Sequence, residues 1–379
     1  MAAAAQPSER PVATLVVCAV ELRDFRNYEH AAVELAPGLT VIAGSNGAGK
    51  TNLLEALYFG CTARSPRTSN ERELVRRGAT VTRVVTDTRD AEASHRIEVG
   101  FDPGGPKRLS VDGAAVDSLA ATTARPLLSV FLPERLELVK GAPAARRAHL
   151  DQLVAALWPA RAETRSAYSR ALAQRNALLL RIRSGAAGPA ALDAWDAELA
   201  GRGAALMDDR REAVDGLAGP FAVLAARLGL PGRADVRYRP RSPATDAAGL
   251  VTELGERRAA DLERGFTAHG PHRDELQLLL DGVALRAYGS QGQQRAALLA
   301  LLFAERELLE QRRARLPLML LDDVMSELDA ERRALLAELL RSGGQAVVTA
   351  TDTDHVPGDP DALISVSGGR ATTATEVPT

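Results

Sequence analysis

The sequence predicts an α/β protein in which a mixed sheet surrounds a glycine-rich loop and a helical arm is inserted into the middle of the core. Three observations support this prediction. An apolar strand runs into a glycine-rich loop and a helix near residue 50, another apolar strand ends in two acids near residue 322, and long helical patterns lie between them. We therefore expect a discontinuous core, residues 1–135 and 262–379, around an inserted arm, residues 136–261.

The chain before the arm is predicted to form short strands and one helix. Runs of apolar and β-branched residues bounded by turn residues are typical of strands. Such runs occur at Thr14–Leu22, Ala31–Leu35, Leu39–Ala43, Thr80–Asp87, His95–Phe101 and Leu109–Val111. The sequence Asp102-Pro103-Gly104-Gly105-Pro106 predicts a turn between the last two, and Asn52–Phe59 predicts a helix.

The predicted arm consists of two helical stretches of about 40 residues each. They cover Ala144–Ser184 and Pro189–Leu230, with Gly185-Ala186-Ala187-Gly188 between them. Helices joined by so short a turn pack antiparallel, so we expect a hairpin. Pro159 predicts a kink in the first helix. Glycines predict breaks in the second, at Gly201, Gly203, Gly216 and Gly219.

The two arm helices differ in charge. The first contains eight arginines and two acids, whereas the second contains seven acids and four arginines. The arginines could pair with the acidic helix, or they could contact the phosphates of a nucleic acid. The sequence leaves both interpretations open.

The chain after the arm is predicted to alternate strands and helices. A polar linker, Pro231–Asp246, and a further helix lead to a hairpin whose turn, Asp281-Gly282, favours type I′. The end is predicted as the helix Gln291–Arg313, the strand Leu318–Leu321, the helix Ala330–Arg341 and the strand Ala346–Ala350.

The composition limits the classes of function. The formal net charge is −2, so binding to nucleic acid would need a local basic patch. Two cysteines, Cys18 and Cys61, indicate a reducing compartment. No apolar run approaches the roughly 20 residues of a membrane-spanning helix, and acids and arginines follow the apolar segment near the start. We therefore expect a cytoplasmic protein without membrane contact.

A nucleotide-binding loop is the strongest motif in the chain. Gly44-Ser45-Asn46-Gly47-Ala48-Gly49-Lys50-Thr51 matches G-x-x-x-x-G-K-[ST], between the strand and the helix that this pattern requires. Backbone N–H groups of such a loop bind phosphates. Lys50 is predicted to reach the β- and γ-phosphates of ATP and to act in catalysis, and Thr51 to bind Mg²⁺. The alternative is a glycine-rich turn that only opens a helix.

Two consecutive acids follow the buried strand Leu318–Leu321. Acids at the carboxyl end of a parallel strand lie where α/β sheets bind ligands. We expect Asp322 to hold Mg²⁺ and Asp323 to polarise the attacking water. The alternative is that one of them only caps the next helix.

A second helix start is also suited to anions. Ser290, Gln291, Gly292 and Gln293 precede an amphipathic helix, with Ser290 as a good N-cap and Gly292 leaving backbone N–H groups open. On its own, this segment could simply be a capped helix.

The order of these motifs resembles that of ABC ATPases, and the chain as a whole resembles the RecF family of bacterial recombination mediators, which is related to the structural-maintenance-of-chromosomes proteins. The resemblance covers nearly the whole length. Besides the glycine-rich loop, it includes Leu22–Tyr28, Phe131–Glu134, Lys140–Arg147, His269–Asp274 and Asp322–Asp329.

The resemblance implies an ABC-type ATPase core that binds ATP and Mg²⁺ and dimerises when ATP is bound, with Ser290–Gln293 acting in trans. It also implies binding to gapped DNA or to junctions of single and double strands, a RecR-like partner and loading of RecA. Three departures point to slow hydrolysis, and hence to a weak DNA-dependent ATPase that serves as a switch. Glu134 stands near the usual glutamine, Thr351 near the usual histidine, and Asp323 in place of the usual glutamate.

Arginines that follow the glycine-rich loop and its helix are candidates for DNA contacts, namely Arg64, Arg67 and Arg72. Two other functions are compatible with a glycine-rich loop of this kind. A soluble ATPase subunit of a membrane transporter would usually carry the missing glutamine and histidine. A small-molecule kinase or GTPase would leave the Ser290 segment unexplained, and the chain has no Asn-Lys-x-Asp guanine motif.

Overall fold

The computed structural model describes residues 15–353, 356 and 358–374. The chain splits into two compact units, Met1–Glu134 with Leu309–Thr379, and Arg135–Leu308. The predicted arm, residues 136–261, falls within the second unit, which also contains residues 262–308. The functional division into a core and an arm stays a prediction. Thr14, the predicted start of the first strand, lies outside the described residues.

An antiparallel sheet in the first unit is formed by strands whose inward positions are apolar or threonine. Its strands are β1 (Val16–Phe25), β2 (Tyr28–Glu34), β4 (Thr82–Arg89), β5 (Ser94–Phe101), β6 (Arg108–Val111) and β7 (Ala114–Ala115). Their order across the sheet is β2-β1-β4-β5-β6-β7. The strands predicted from Ala31 to Val111 are present, with ends that differ by a few residues.

A second sheet in the first unit carries the glycine-rich loop. Its strands are β3 (Leu39–Ala43), β8 (Leu128–Phe131), β12 (Leu318–Leu321), β13 (Ala346–Ala350), β14 (Ala362–Ser367) and β15 (Arg370–Ala374). The order is β15-β14-β3-β13-β12-β8, and β15 alone of these six runs antiparallel to its neighbour. Because parallel strands end at the same edge, the ends of β3, β13 and β12 lie side by side.

Helix α1 (Lys50–Thr62) follows the loop and is largely buried. Leu53, Leu54 and Leu57 are at most 1% exposed and belong to a buried cluster that includes side chains from both sheets. Burying each leucine contributes about 2 kcal/mol, so this packing fixes the start of α1 against the sheet. Helix α10 (Ala330–Arg341) also forms where predicted, with Asp329 as its N-cap.

The second unit is mainly helical. Its helices are α2 (Glu137–Lys140), α3 (Pro143–Leu157), α4 (Thr164–Arg183), α5 (Leu192–Arg227), α6 (Ala247–Glu256), α7 (Arg258–Arg264), α8 (Leu285–Tyr288) and the start of α9 (Gln291–Arg313). Helices α4 and α5 pack on each other as the predicted hairpin. Within the part of the chain that the structure describes, no helix is both long and apolar enough to cross a membrane.

At Pro159 the first arm stretch is interrupted rather than only kinked as predicted, and the predicted glycine breaks in the second stretch are wrong. Helix α3 ends at Leu157, two residues before Pro159, and α4 begins at Thr164. Helix α5 is continuous over 36 residues. A Cβ on Gly216 would lie 2.9 Å from Leu308 Cδ1, so the glycine there allows close packing rather than a break. Tertiary packing therefore overrides the low helix propensity of glycine.

The predicted linker Pro231–Asp246 contains a strand. Strand β9 (Ala234–Arg239) pairs antiparallel with β10 (Glu275–Leu280), which turns through Asp281-Gly282 into β11 (Val283–Ala284). Both turn residues have positive φ, as a type I′ turn requires. The linker prediction is wrong there because the alternating Ala234, Val236 and Tyr238 face the interior of the second unit despite their polar neighbours.

Some of the arginines in the first arm stretch pair with acids. Arg175 is fully buried and donates to Asp196 on α5 and to Asp261 on α7. Arg161 donates to two further acids on α5, Asp209 and Glu212. For these two arginines, pairing with acids, mainly on the acidic helix, is confirmed. Arg165 is exposed but also pairs with an acid, Asp151, at 3.1 Å. Arg170, Arg181 and Arg183 are exposed.

Candidate nucleotide-binding site

The glycine-rich loop, Gly44–Thr51, connects the end of β3 to the start of α1. Gly47 and Gly49 have φ values of 79° and 122°, which residues with a Cβ rarely adopt. A Cβ on Gly49 would lie 2.6 Å from Asn27 Nδ2 and 2.8 Å from the Tyr28 hydroxyl. Only glycine is therefore compatible with this point of the loop.

The turn between β1 and β2 supports the loop. The Tyr28 hydroxyl donates to the carbonyl of Gly49 at 2.9 Å, and Asn27 Nδ2 donates to the carbonyl of Ala48 at 3.2 Å. Asn52 on α1 donates to Asn27 Oδ1 at 2.8 Å. These bonds fix the carbonyl side of the loop, so its N–H groups are held in one orientation. From the sequence, Asn27 and Tyr28 were recognisable only as part of the family motif Leu22–Tyr28, without a role in supporting the loop.

Lys50 lies within the curve of the loop. Its Nζ donates to the carbonyls of Gly44 at 2.6 Å and Ser45 at 3.1 Å, and the residue is 6% exposed. A lysine ammonium has three protons, so these bonds leave capacity for a further acceptor. The ammonium is thus held where an anion bound by the loop could reach it.

Thr51 and Asp322 come together across 271 positions of sequence. The Thr51 hydroxyl is 2.9 Å from both carboxylate oxygens of Asp322. Mg²⁺ prefers oxygen ligands, and one cation could contact both groups at this separation. These two residues therefore fit a magnesium site.

Thr349, at the end of β13, holds both consecutive acids. Its hydroxyl donates to Asp322 Oδ1 at 2.7 Å and accepts from the backbone N–H of Asp323 at 2.9 Å. Burial raises the pKa of the Asp322 carboxyl above its ordinary value, and the bonds from Thr349 and Thr51 oppose that rise. Thr349 could not be predicted from the sequence, because nothing local distinguishes it from any threonine near the end of a buried strand.

Asp323 has an unusual backbone and an unpaired side-chain oxygen. Its φ is 48°, and its Oδ1 is buried with no hydrogen-bond partner among the described residues. A buried carboxylate oxygen without a donor is costly, so residues in this condition cluster at functional sites. The geometry leaves this oxygen available to a water molecule or another donor.

The three arginines predicted to contact DNA differ in their surroundings. Arg64 and Arg72 are exposed. Arg67 donates to the buried carboxylate of Glu55 at 3.2 Å, to Asn52 Oδ1 at 3.1 Å and to Glu134 at 3.3 Å. Contact with DNA stays a prediction for all three. Arg67 already uses two of its guanidinium nitrogens in these bonds, so it has fewer N–H groups available for phosphates.

The Ser290 segment lies in the second unit, at the start of α9. Ser290 Oγ accepts from the N–H of Gln293 at 3.2 Å, and the N–H of Ser290 donates to Gln293 Oε1 at 2.8 Å. This reciprocal pair is a capping box. Ser290, Gln291 and Gly292 are exposed, so the first turn of the helix faces solvent within this unit. The anion-binding role stays a prediction.

Comparison with known proteins supports a single family. A family model described as an AAA domain matches residues 19–129. The chain is 40% identical over 369 residues to the DNA replication and repair protein RecF of Myxococcus xanthus, covering 93% of this chain and 96% of that protein. It is 38% identical over 354 residues to the protein of the same name from Acidothermus cellulolyticus, covering 89% and 94%.

Solved structures agree with these relatives. A structure described as the recombination mediator protein RecF with ATP in the RecFOR pathway superposes with a TM-score of 0.87 at 27% identity, covering 98% of this chain and all of that one. An Smc head domain from Pyrococcus furiosus shares the fold, with a TM-score of 0.60 at 17% identity and coverage of 95% and 96%. The predicted ABC-type α/β fold with a helical arm is confirmed. Because 40% identity extends over nearly the full length of a curated relative, the chain belongs to the RecF family.

Proposed function

We propose that this protein is an ATP-dependent DNA-binding recombination mediator that acts in DNA repair and replication. The proposal rests on one observation above all, the convergence of the glycine-rich loop with Asp322, Asp323 and Thr349 at one edge of a sheet. Its family gives the biological setting, because relatives that match along their whole length are named DNA replication and repair proteins.

ATP fits the loop, and Mg²⁺ fits the Thr51–Asp322 pair. The loop N–H groups and Lys50 would bind the β- and γ-phosphates, while Thr51 and Asp322 would hold the cation. Bound Mg²⁺ neutralises charge on the phosphate oxygens. Asp323 would orient the attacking water through its free Oδ1. The aspartate side chain is one methylene shorter than that of the usual glutamate. We therefore expect slow hydrolysis of ATP, which suits a switch.

The exposed start of α9 suits a second role for ATP. Its first-turn N–H groups and the Ser290 hydroxyl would meet the γ-phosphate bound by the loop of another copy of the chain. Such an interface is isologous, so one dimer would bury two ATP molecules. ADP lacks the γ-phosphate, so hydrolysis would release the two chains.

Family membership suggests the partners. We expect binding to gapped DNA or to junctions of single and double strands in the cytoplasm, with a RecR-like protein as partner and RecA loading as the outcome. Arg64 and Arg72 are exposed candidates for phosphate contacts. A transporter subunit is not favoured, because the full-length relatives are DNA repair proteins.

The test is the affinity of the pure protein for gapped DNA, measured by fluorescence anisotropy with ATP, with ADP and without nucleotide. We expect ATP with Mg²⁺ to increase affinity at least about tenfold, which corresponds to a coupling of roughly 1.4 kcal/mol. Equal affinity in all three conditions would refute ATP-dependent DNA binding. ATP binding without any DNA binding would instead favour a P-loop ATPase unrelated to DNA.

A further inference from the structure

The motif His269–Asp274 is largely built into the interior of the second unit. Gly270 and Pro271 are buried, and Gly270 has a φ of 128°. A Cβ on this glycine would lie 2.9 Å from the Tyr168 hydroxyl. Asp274 is fully buried and accepts hydrogen bonds from Tyr238 and from the N–H of Arg241. Most of the motif therefore forms a fixed internal framework.

His272 is held in one protonation state within this framework. Its Nε2 donates to the carbonyl of Thr267 at 3.0 Å, so its Nδ1 accepts from the Tyr168 hydroxyl at 2.7 Å. Burial lowers the pKa of His272 to about 4, so the ring is neutral at physiological pH. Hydrogen bonds on either side of Arg273 thus hold the segment in place.

Arg273 differs from the rest of the motif because its side chain faces solvent. Its guanidinium carbon lies 5.9 Å from the centre of the Phe266 ring, and Phe266 is 41% exposed. Leu180 is 48% exposed and lies beside the same loop, since a Cβ on Gly265 would be 2.9 Å from Leu180 Cδ2. Phe266 is therefore exposed next to Arg273, and Leu180 is exposed beside Gly265, the residue before Phe266.

Two further arginines, Arg183 and Arg147, lie near these residues. Arg183 Nη1 would lie 2.8 Å from the same Cβ on Gly265, and it contacts the carbonyl of Glu263 at 3.5 Å. Among the residues that the structure describes, neither Arg183 nor Arg273 has a carboxylate within ion-pair distance. Arg147, which donates to the carbonyl of Asp274, lies close enough to Arg273 for the two charges to repel. We call Leu180, Arg183, Phe266 and Arg273 the Phe266 patch.

We propose that the Phe266 patch binds a single-stranded segment of DNA. Arginines without carboxylate partners suit phosphates, and this contact is independent of base sequence. An exposed phenyl ring and a guanidinium plane both offer surfaces on which an unpaired base can stack. The bases of a duplex are already stacked on one another, so a phenyl ring adds little there. The combination therefore fits single-stranded DNA better than duplex DNA or an acidic protein.

This proposal rests on the DNA-binding function but not on its dependence on ATP. It assigns the single-stranded side of a gap to a surface of the second unit, whereas Arg64 and Arg72 belong to the first. It also assigns a function to Arg273, the exposed residue of the motif His269–Asp274, whose side chain the buried part of the motif does not need.

The test measures anisotropy of labelled single-stranded and duplex oligonucleotides of equal length. Phe266→Leu keeps an apolar side chain but removes the ring, and should weaken single-strand binding about tenfold while leaving duplex binding unchanged. Phe266→Tyr should restore it. Arg273→Gln should weaken single-strand binding and reduce its salt slope by about 0.7. Matched controls are Val223→Ala, at an exposed position on α5, and Arg211→Gln, whose guanidinium pairs with Asp208.

The outcomes distinguish failure of the Phe266 patch from failure of the proposed DNA-binding function. Wild-type protein that binds no DNA would refute both. Wild-type protein that binds DNA, with Phe266→Leu and Arg273→Gln equal to the controls on single strands, would overturn the Phe266 patch alone. Equal loss on single strands and duplex in Phe266→Leu would also overturn it, because stacking of an unpaired base would then not be the cause.

Discussion

In the candidate site, hydroxyl groups as well as charged groups position the side chains and the loop. Thr51, Thr349 and Tyr28 each fix a group that sequence analysis assigned to phosphate or metal binding. The loop, Asp322 and Asp323 were predictable because they occupy fixed places in a local pattern. Thr349 acts through space from a strand remote in sequence, so no local pattern marks it. Tyr28 belongs to a family motif, but its contact with the loop depends on the fold.

Thr349→Val is predicted to weaken binding of ATP with Mg²⁺. Valine keeps the volume but leaves the N–H of Asp323 without its acceptor and Asp322 without one donor. Losing such buried partners costs about 1–3 kcal/mol, so affinity should fall at least about fivefold. Titration with a fluorescent ATP analogue measures this, and Thr349→Ser is the control that should stay near wild type. Equal affinity in all three proteins would contradict the role of the hydroxyl.

Asp323→Asn is predicted to bind ATP but not to hydrolyse it. The amide keeps the shape of the side chain, yet it is a poor base for the water that the free Oδ1 would orient. Hydrolysis should fall by about 10²-fold or more, and the ATP-bound form should accumulate. Single-turnover assays check this, with Asp329→Asn as a control at a helix cap. Wild-type turnover in Asp323→Asn would show that another group positions the water.

Helices and strands were predictable where their pattern was local and failed where packing decided. Strands β3, β12 and β13 form at the predicted positions because each is a short run of apolar or β-branched residues. Strand β9 was not predicted, because it lies in a polar segment and pairs with β10, which lies about 40 residues later in the chain. Helix α5 stays continuous through its glycines because neighbours pack closely on two of them, Gly203 and Gly216.

Gly201→Ala is predicted to stabilise helix α5. This glycine is exposed, and a Cβ there would meet no atom within 4 Å. Alanine should raise the free energy of unfolding by about 0.5–1 kcal/mol, because it restricts the unfolded chain and favours helix. Urea denaturation followed by circular dichroism measures the change. Gly216→Ala, where the new Cβ would lie 2.9 Å from Leu308 Cδ1, should not stabilise, and stabilisation there would contradict the packing argument.

Ser290→Arg tests the start of α9 as an interface. The substitution removes the capping hydroxyl and places bulk and positive charge at the exposed first turn. ATP binding by the single chain should stay near wild type, while ATP-dependent dimerisation should be lost. Sedimentation velocity with ATP and Mg²⁺ resolves the two states, with Arg202→Gln on α5 as a control for surface charge. A variant that dimerises like wild type would remove Ser290 from the interface.

In the whole molecule, ATP binding, dimerisation and DNA binding would form one event. ATP bound in the first unit of one chain would be closed off by the Ser290 segment of another, and the closed dimer would hold DNA. The family could be predicted from motif order, since loop, arm, Ser290 segment and acid pair follow one another as in ABC ATPases. The division between the units and the Phe266 patch could not, because both depend on contacts between segments remote in sequence.

The most direct measurement is the mass of the complex on gapped DNA, determined by sedimentation with ATP and with ADP. We expect two chains on each DNA molecule with ATP, and release from DNA as single chains with ADP. The Lys50→Ala variant, which loses the phosphate-binding ammonium, should behave with ATP as wild type does with ADP. A single chain that stays on DNA equally well with either nucleotide would contradict the central claim.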